Sequence, residues 1–244
     1  MQNTYSSRWF DTFLGTIDAS VVDAEVAFLV RQLPVADSSR LLDLCCGPGR
    51  HTLALHARSY AVVGLDRDAS ALSSARARAQ TAAGGDVELV RADMEALPLR
   101  DGSFDAVICM WQSFGHLDAA GNRRVLAQMH DVVRVGGRII LDVYNRSFHE
   151  QHLSARTIRR GGACVLEERS LQHGRLCVRL RYEGPDDSAT DEFEWALYGA
   201  SDLAAMGRDV GLATAVACTG FDERRGITAD DPRMQLVFER VDTG

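Results

Sequence analysis

No stretch of this 244-residue chain approaches the ~20 consecutive apolar residues that a membrane-crossing helix requires. Its opening segment, "MQNTYSSRWFDTFLGTID", lacks the charged-then-apolar pattern of a secretion signal. A soluble, cytoplasmic protein is therefore expected, with no membrane partner. Excess positive charge is missing too: the formal net charge is -7 and the pI about 5.5. An acidic surface repels phosphate backbones, so nucleic acid is not an expected partner. The six cysteines, Cys45, Cys46, Cys109, Cys164, Cys177 and Cys218, contain no C-x-x-C pair. His51 and His56 are five apart rather than the four that would place two ligands on one helix face. Buried small thiols and no metal are the expectation.

What is present is enough apolar residue, 46%, to fill a sizeable core. The length fits one large domain, or one domain with a modest insertion. Val22, Val26, Leu29 and Leu33 recur at helical spacing, predicting a helix over 21–33. "LLDLCC" then reads as a buried strand and "RHTLALHAR" as a helix. "AVVGLD" is a strand, and "ASALSSARARAQTAA" a helix stopped by Gly84-Gly85. "DVELVRAD" and "FDAVICMW" are further strands. "AAGNRRVLAQMHDVVRV" is predicted as a helix ended by Gly136-Gly137, before the strand "RIILDVYN". Near-continuous Val/Ile/Leu strands alternating with helices predict a parallel sheet covered on both faces. After Asn145 the texture changes to charged residues mixed with β-formers, with turn signals at His173-Gly174 and Gly184-Pro185. An antiparallel hairpin or small sheet is expected over about 161–198, within an insertion spanning 146–198. "SDLAAMGRDVGL" opens with a serine cap, and two strands close the chain.

The stretch "LLDLCCGPGRHT" poses the functional question. Ligands of open α/β sheets bind at the carboxyl ends of the strands. Glycine there lets bare backbone approach a ligand, and the next helix offers free N–H groups. Asp66, ending the following strand, can accept both hydroxyl protons of a ribose. Gly47, Gly49 and Asp66 thus suit an adenosine-bearing cofactor. A dinucleotide fingerprint wants a third glycine where Thr52 stands, and no Gly-Lys-Ser/Thr follows for a P-loop. Arg67 beside Asp66 can suit a 2′-phosphate, which keeps an NADP-dependent reductase as the alternative.

At these residues the chain resembles the class I S-adenosylmethionine-dependent methyltransferases of the small-molecule type. Asp43, Cys45, Gly47 and Gly49 fit the family's D-x-G-x-G-x-G motif, with Cys45 in the first glycine's place. "RADMEALPL", "FDAVICMWQSFGHL" and "VVRVGGRIILD" resemble its later motifs, and the likeness runs over about residues 40–145. The resemblance implies a Rossmann-like, seven-stranded, mostly parallel sheet with helices on both faces and a small antiparallel β insertion after the fifth strand. It implies S-adenosyl-L-methionine as cofactor, with Asp66 on the ribose, Asp93 on the adenine amino group and Met94 on the adenine face. Asp43 can order the cofactor's amino end, and Arg67 and Met110 adjoin the same place.

Cations favour aromatic surroundings, and Met110, Trp111 and Phe114 leave the fourth strand toward the expected sulfonium. Arg50 and His51 either touch the cofactor carboxylate or cap the helix. His116 is the candidate general base. Asp142 reads as structural, and Asn145 alone makes no metal site. Tyr5, Trp9, Phe10 and Phe13 form an aromatic N-terminus, Trp9 and Phe13 at i, i+4, that is either core or a lid over the cofactor. Tyr5, Trp9, Trp111, Phe114 and His116 are the candidate substrate residues. The expected activity is methylation of a small-molecule acceptor, an amine somewhat before a hydroxyl. The insertion resembles the cap of small N-methyltransferases. A non-catalytic cofactor-binding protein is the other alternative, and monomer and homodimer are both open.

Overall fold

The computed structural model describes residues 3, 5–35, 39–81, 85–183 and 189–242. In chain order these form α1 (Ser7–Trp9), continued by a π-helical turn Phe10–Leu14, then α2 (Ala19–Gln32), β1 (Arg40–Leu44), α3 (Arg50–His56) and β2 (Ala61–Asp66). α4 (Ala69–Thr81), β3 (Glu88–Arg91), β4 (Phe104–Cys109), α5 (Ala119–Val132) and β5 (Val133–Tyr144) follow. Next come α6 (Arg146–Gln151), β6 (Arg156–Arg160), β7 (Ala163–Gln172), β8 (Arg175–Glu183) and β9 (Thr190–Ala196). α7 (Ala200–Asp209), β10 (Leu212–Cys218) and β11 (Arg233–Arg240) close the chain.

Side chains alternate across a strand, so a strand buried on both faces feeds two cores. In β1, Leu41 joins one core, and Leu42 and Leu44 the other. In β4, Ala106 and Ile108 join the first, and Val107 and Cys109 the second. Helices cover both faces. α2 and α3 bury Val26, Phe28, Leu29 and Leu55 in the first core. α5 and α7 bury Val125, Leu126, Met129 and Leu203 in the second. The large sheet has seven strands in the order β10-β11-β5-β4-β1-β2-β3. β1 to β5 pair in parallel, while β11 runs antiparallel to both β5 and β10. This is the mostly parallel, Rossmann-like sheet that the sequence predicts. No helix among the described residues is long and apolar enough to cross a membrane.

The structure differs from the sequence reading at element ends. Gly136-Gly137 do not stop the fifth helix. It ends at Val132, and Val133 is already extended, with ψ 139°. Val133 and Val135 are β-branched and favour a strand. The two glycines lie inside β5, where Gly136 takes φ +73° and the register against β4 shifts between Phe104 and Ala106. They make a bulge. α7 is opened by Gly199, whose N–H donates to Asp202 Oδ2 at 2.7 Å, and not by Ser201. The Gly84 part of the expected Gly84-Gly85 stop lies outside the described residues, as does the Gly184-Pro185 turn.

Of the hairpin or small antiparallel sheet expected in the insertion, the structure has the sheet. The insertion carries α6 and then a four-stranded antiparallel sheet, β6-β7-β8-β9, which begins at Arg156 rather than near 161. His173-Gly174 forms the expected two-residue turn, both with positive φ. Gly161-Gly162 makes the same kind of turn between β6 and β7. The inner face of this cap sheet gathers Val165, Leu176, Val178, Leu180, Phe193 and Trp195, against which Tyr5, Trp9 and Phe13 pack. The N-terminal segment is thereby bound to the cap. Ser6 Oγ donates to Asp191 Oδ2 at 2.7 Å, and Asn3 exchanges two hydrogen bonds with the backbone of Glu194.

Candidate active site

A cavity of about 560 Å³ opens at the carboxyl ends of β1 to β4, within the size range of small-ligand sites. Its floor is the turn after β1. Its roof is the N-terminal segment, through Tyr5, Trp9, Phe10 and Leu14. The aromatic N-terminus therefore both joins the cap core and covers the cavity.

The two glycines of the turn play different parts. Gly47 has φ +54°, and a Cβ built there would meet nothing within 4 Å. It lines the cavity with bare main chain. Gly49 has φ +77° and is not among the cavity-lining residues; a Cβ there would stand 3.0 Å from Ala75 Cβ of α4. Expected beside the ligand, Gly49 instead permits two helices to approach. The place of the third glycine is also explained: Thr52 Oγ1 donates to Asp43 Oδ2 at 2.6 Å, inside the protein. Asp43 reaches the cavity wall with its carboxyl pushed up by burial. Gly64 is a close-approach glycine that the sequence reading missed. A Cβ there would lie 2.9 Å from Leu89 Cδ2 and 3.0 Å from Cys46 Sγ.

Asp66 is where the sequence places it, at the cavity end of β2. Its Oδ2 accepts the Gly47 N–H at 2.8 Å and its Oδ1 the Asp68 N–H at 2.9 Å. It therefore shapes the glycine turn as well as facing the cavity; burial raises its pKa. Asp93 lines the cavity, and its Oδ1 accepts the Glu95 N–H at 3.0 Å. Met94 and Met110 line it too, both nearly buried. Cys45 has φ +62° and also lines the cavity, its sulfur 3.7 Å from that of Met94. Its thiol pKa is raised by a hydrogen bond with the Cys109 thiol and by burial, which makes it a poor nucleophile. Arg67 lines the cavity but turns its guanidinium to the carbonyl of Asn3 in the N-terminal segment.

The loop after β4 supplies the opposite wall. Trp111 and Gln112 both have positive φ, 54° and 59°, a strained conformation for residues with side chains. Asp142 on β5 holds them there: its Oδ2 accepts the Trp111 N–H at 3.0 Å and its carbonyl the Gln112 N–H at 2.9 Å. Trp111 lines the cavity as expected, but it is also engaged behind the wall. Its Nε1 donates to Glu25 Oε1 at 2.6 Å, and the Arg50 and Arg233 guanidinium carbons stand 4.4 and 5.2 Å from the ring centre. Phe114 does not line the cavity. It is buried in the core against Tyr198, so its expected substrate role is not supported by its position.

Glu25 is the residue that sequence reasoning missed. It is fully buried, on the apolar stripe of α2. Besides Trp111 it takes Arg50 at 2.5 Å, His51 at 3.0 Å and Arg233 at 3.1 Å. Burial opposes its charge, but the His51 hydrogen bond and the fields of His51, Arg50 and Arg233 hold its pKa down at about 2. Arg50 and His51, expected to touch a cofactor carboxylate or cap the helix, are instead both committed to Glu25 while lining the cavity. The one sequence signal was an acid amid "AEVAFLV", on the stripe that should be apolar.

His116 reaches the cavity, and its Nε2 lies 3.1 Å from the Tyr5 hydroxyl. Burial, with Arg67 and Arg175 adding to it, pushes the imidazole down to about 4. It is neutral near pH 7 and a weak base.

The comparisons with known proteins agree with this geometry. Residues 41–137 match the family described as "Methyltransferase domain". A demethylmenaquinone methyltransferase of Shouchella clausii is 32% identical over 46% of this chain and 47% of its own length. One of Thermus thermophilus is 38% identical over 42% and 46%. The chain thus spans about half the length of these curated relatives. A methyltransferase structure from Clostridium acetobutylicum superposes with a TM-score of 0.81 at 17% identity, over 97% of this chain and 98% of that one. An S-adenosylmethionine-bound amino pentose methyltransferase of Micromonospora echinaspora superposes with 0.68 at 22% identity, over 99% and 100%. Residues 41–137 are a methyltransferase domain, and the chain has the fold of solved S-adenosylmethionine-dependent methyltransferases. Its family domain holds the glycine turn, Asp66, Asp93 and the β4 wall; the cap and the N-terminal aromatics lie outside the matched residues.

Proposed function

We propose that this chain transfers a methyl group to a small-molecule acceptor, an amine rather than a hydroxyl. The observation that carries the reading is the open space over Gly47 beside Asp66. A side chain at Gly47 would occupy the cavity, whereas bare backbone leaves room for a nucleoside whose ribose hydroxyls face the Asp66 carboxylate. Asp93 and Met94, which line the same cavity, suit the adenine, and Asp43 the amino-acid end. S-adenosylmethionine, when bound, supplies a methyl group on a sulfonium, ready for in-line displacement. The chain then has only to place the acceptor, and positioning alone is worth up to ~7–11 kcal/mol of a barrier. Tyr5 and Trp9 above the cavity, with Trp111 and His116 at its wall, are the residues placed to do so.

Two features favour nitrogen. His116 is held by Tyr5 with its imidazole pushed down to about 4, too weak a base to help a hydroxyl much, while an amine need only arrive deprotonated. Burial and the Arg67 and Arg175 charges that depress His116 also disfavour an ammonium beside it. In addition, the amino pentose methyltransferase covers this chain across the cap as well as the sheet, as does a sugar N-methyltransferase from Streptoalloteichus, over 99% of this chain at 20% identity. The reductase alternative loses its support, since Arg67 turns to the N-terminal segment.

Calorimetric titration with S-adenosylhomocysteine and, separately, with NADPH tests the cofactor reading. We expect binding of the first and none of the second; NADPH binding alone would reverse it.

A further inference from the structure

We propose that Glu25 sets the charge of the cavity wall, so that the site accepts a cationic sulfonium and not merely its neutral thioether. The inference rests on the cofactor reading above.

Trp111 is flanked by two guanidiniums. Arg50 stands 4.4 Å from its ring centre and itself lines the cavity; Arg233 stands at 5.2 Å. Left alone, two cations at this wall would repel a sulfonium and would already occupy the π-face that could receive it. Two buried carboxylates cancel them. Glu25 binds both arginines, at 2.5 and 3.1 Å, and Asp142 binds Arg233 at 3.0 Å. Glu25 and Asp142 against Arg50 and Arg233 sum to zero, with His51 on Glu25 as the remaining titratable neighbour. Asp43 is the next carboxylate, in the field of both His51 and Arg50.

The arrangement is not explained by packing. Glu25 occupies a place on α2 beside Val26, Phe28 and Leu29 where an apolar residue would bury at no electrostatic cost. Its four donors come from α2's neighbours α3 and β11 and from the loop after β4. Three of those donors, Arg50, His51 and Trp111, are cavity-lining. Glu25 touches no ligand itself; it is a positioning residue that acts through them. Because methyl transfer turns the cation into a neutral thioether, wall charge bears on the ratio of donor to product affinity.

The test is calorimetric and needs no acceptor. Dissociation constants for S-adenosylmethionine and S-adenosylhomocysteine are measured on the wild type, Glu25→Gln, Arg50→Gln and the double variant. Glu25→Gln keeps an acceptor for Trp111 Nε1 but removes one negative charge from behind the wall. It should shift the ratio of the two constants about tenfold against the cation, the effect of one unit charge across roughly 10 Å of partly buried protein. Arg50→Gln should shift the ratio the other way, and the double variant should restore it. If Glu25→Gln does not fold, Arg50→Gln reads the same charge with opposite sign. Both constants moving together in every folded variant would reduce Glu25 to scaffolding and overturn the inference. A wild type that binds neither ligand would instead overturn the cofactor reading.

Discussion

The two walls of the cavity are built on different chemistry. The floor, at the ends of β1 and β2, is main chain and carboxylate: Gly47, Asp43 and Asp66, fixed by short hydrogen bonds within one family domain. The roof is aromatic. Tyr5 lies 4.4 Å from Trp9 and 4.6 Å from Phe193, ring centre to ring centre, and Trp195 lies 5.7 Å from His116. A nucleoside is constant chemistry and can be met by fixed backbone, whereas an acceptor varies, and aromatic surfaces adapt by packing. The two curated relatives align over less than half of this chain, while the solved structures superpose over nearly all of it.

Acid should break the two apart, and this is the largest effect we expect. His116 and His149 are both pushed down from 6.5 to about 4, chiefly by burial. A folded imidazole that resists its proton loses stability as pH falls from 6.5, where the unfolded chain begins to bind one, to 4. At ~1.4 kcal/mol per unit, each contributes a loss of about 3 kcal/mol over that window. His116 meets Tyr5 and Trp195, and His149 meets Tyr144, which in turn packs on Trp195. Both therefore join, directly or through Tyr144, the aromatic cluster around Trp195 on which the roof packs. Glu25, behind the Trp111 wall, is a depressed carboxylate: its contribution is whole above pH 4.5 and lost as pH falls toward 2. Hydrogen exchange should show β7 to β9 losing protection between pH 6.5 and 4 while α2 and β1 stay protected. Simultaneous loss only below pH 4 would deny the division.

The floor was legible in the sequence because its residues break their surroundings. Glycines and an aspartate interrupt apolar strands, and the strands themselves are unbroken Val/Ile/Leu runs. Spacing alone does not distinguish a glycine that faces a ligand from one that, like Gly49, stands against Ala75. Glu25 was hidden for the opposite reason. One acid in a helix looks solvated until the chain brings Arg50, His51, Trp111 and Arg233 to it from 25 to 208 residues away. The bulge at Gly136 and the strand from Arg156 depend on pairing partners, which local pattern does not encode.

The distinction between the two glycines sharpens the floor. Gly47→Val would place a branched side chain in the cavity at φ +54°. We expect S-adenosylhomocysteine affinity to fall by about 100-fold or more, roughly 3 kcal/mol, with a smaller loss of stability from the left-handed backbone, ~1–2 kcal/mol. Gly49→Val should do the reverse, costing stability through Ala75 and affecting affinity only through the disturbed turn. Thermal unfolding and calorimetry on both variants decide it; equal patterns would mean that the glycines share one role.

Tyr5→Phe probes the roof with the smallest change. It deletes one hydroxyl, whose partner His116 then faces the cavity without it. The ring contacts with Trp9 and Phe193 stay, so the N-terminal segment should remain docked. A hydrogen bond of this kind is worth about 1 kcal/mol, so cofactor affinity should change less than about threefold and stability by about that 1 kcal/mol. What should move is the acid profile of the roof. Tyr5 packs against His116, and without its hydroxyl the imidazole is more open to water, which raises its pKa back toward 6.5 and narrows the pH window of lost stability. An NMR titration of the His116 ring in both proteins measures this directly. A ring that titrates identically would show that Tyr5 covers the cavity without governing its chemistry.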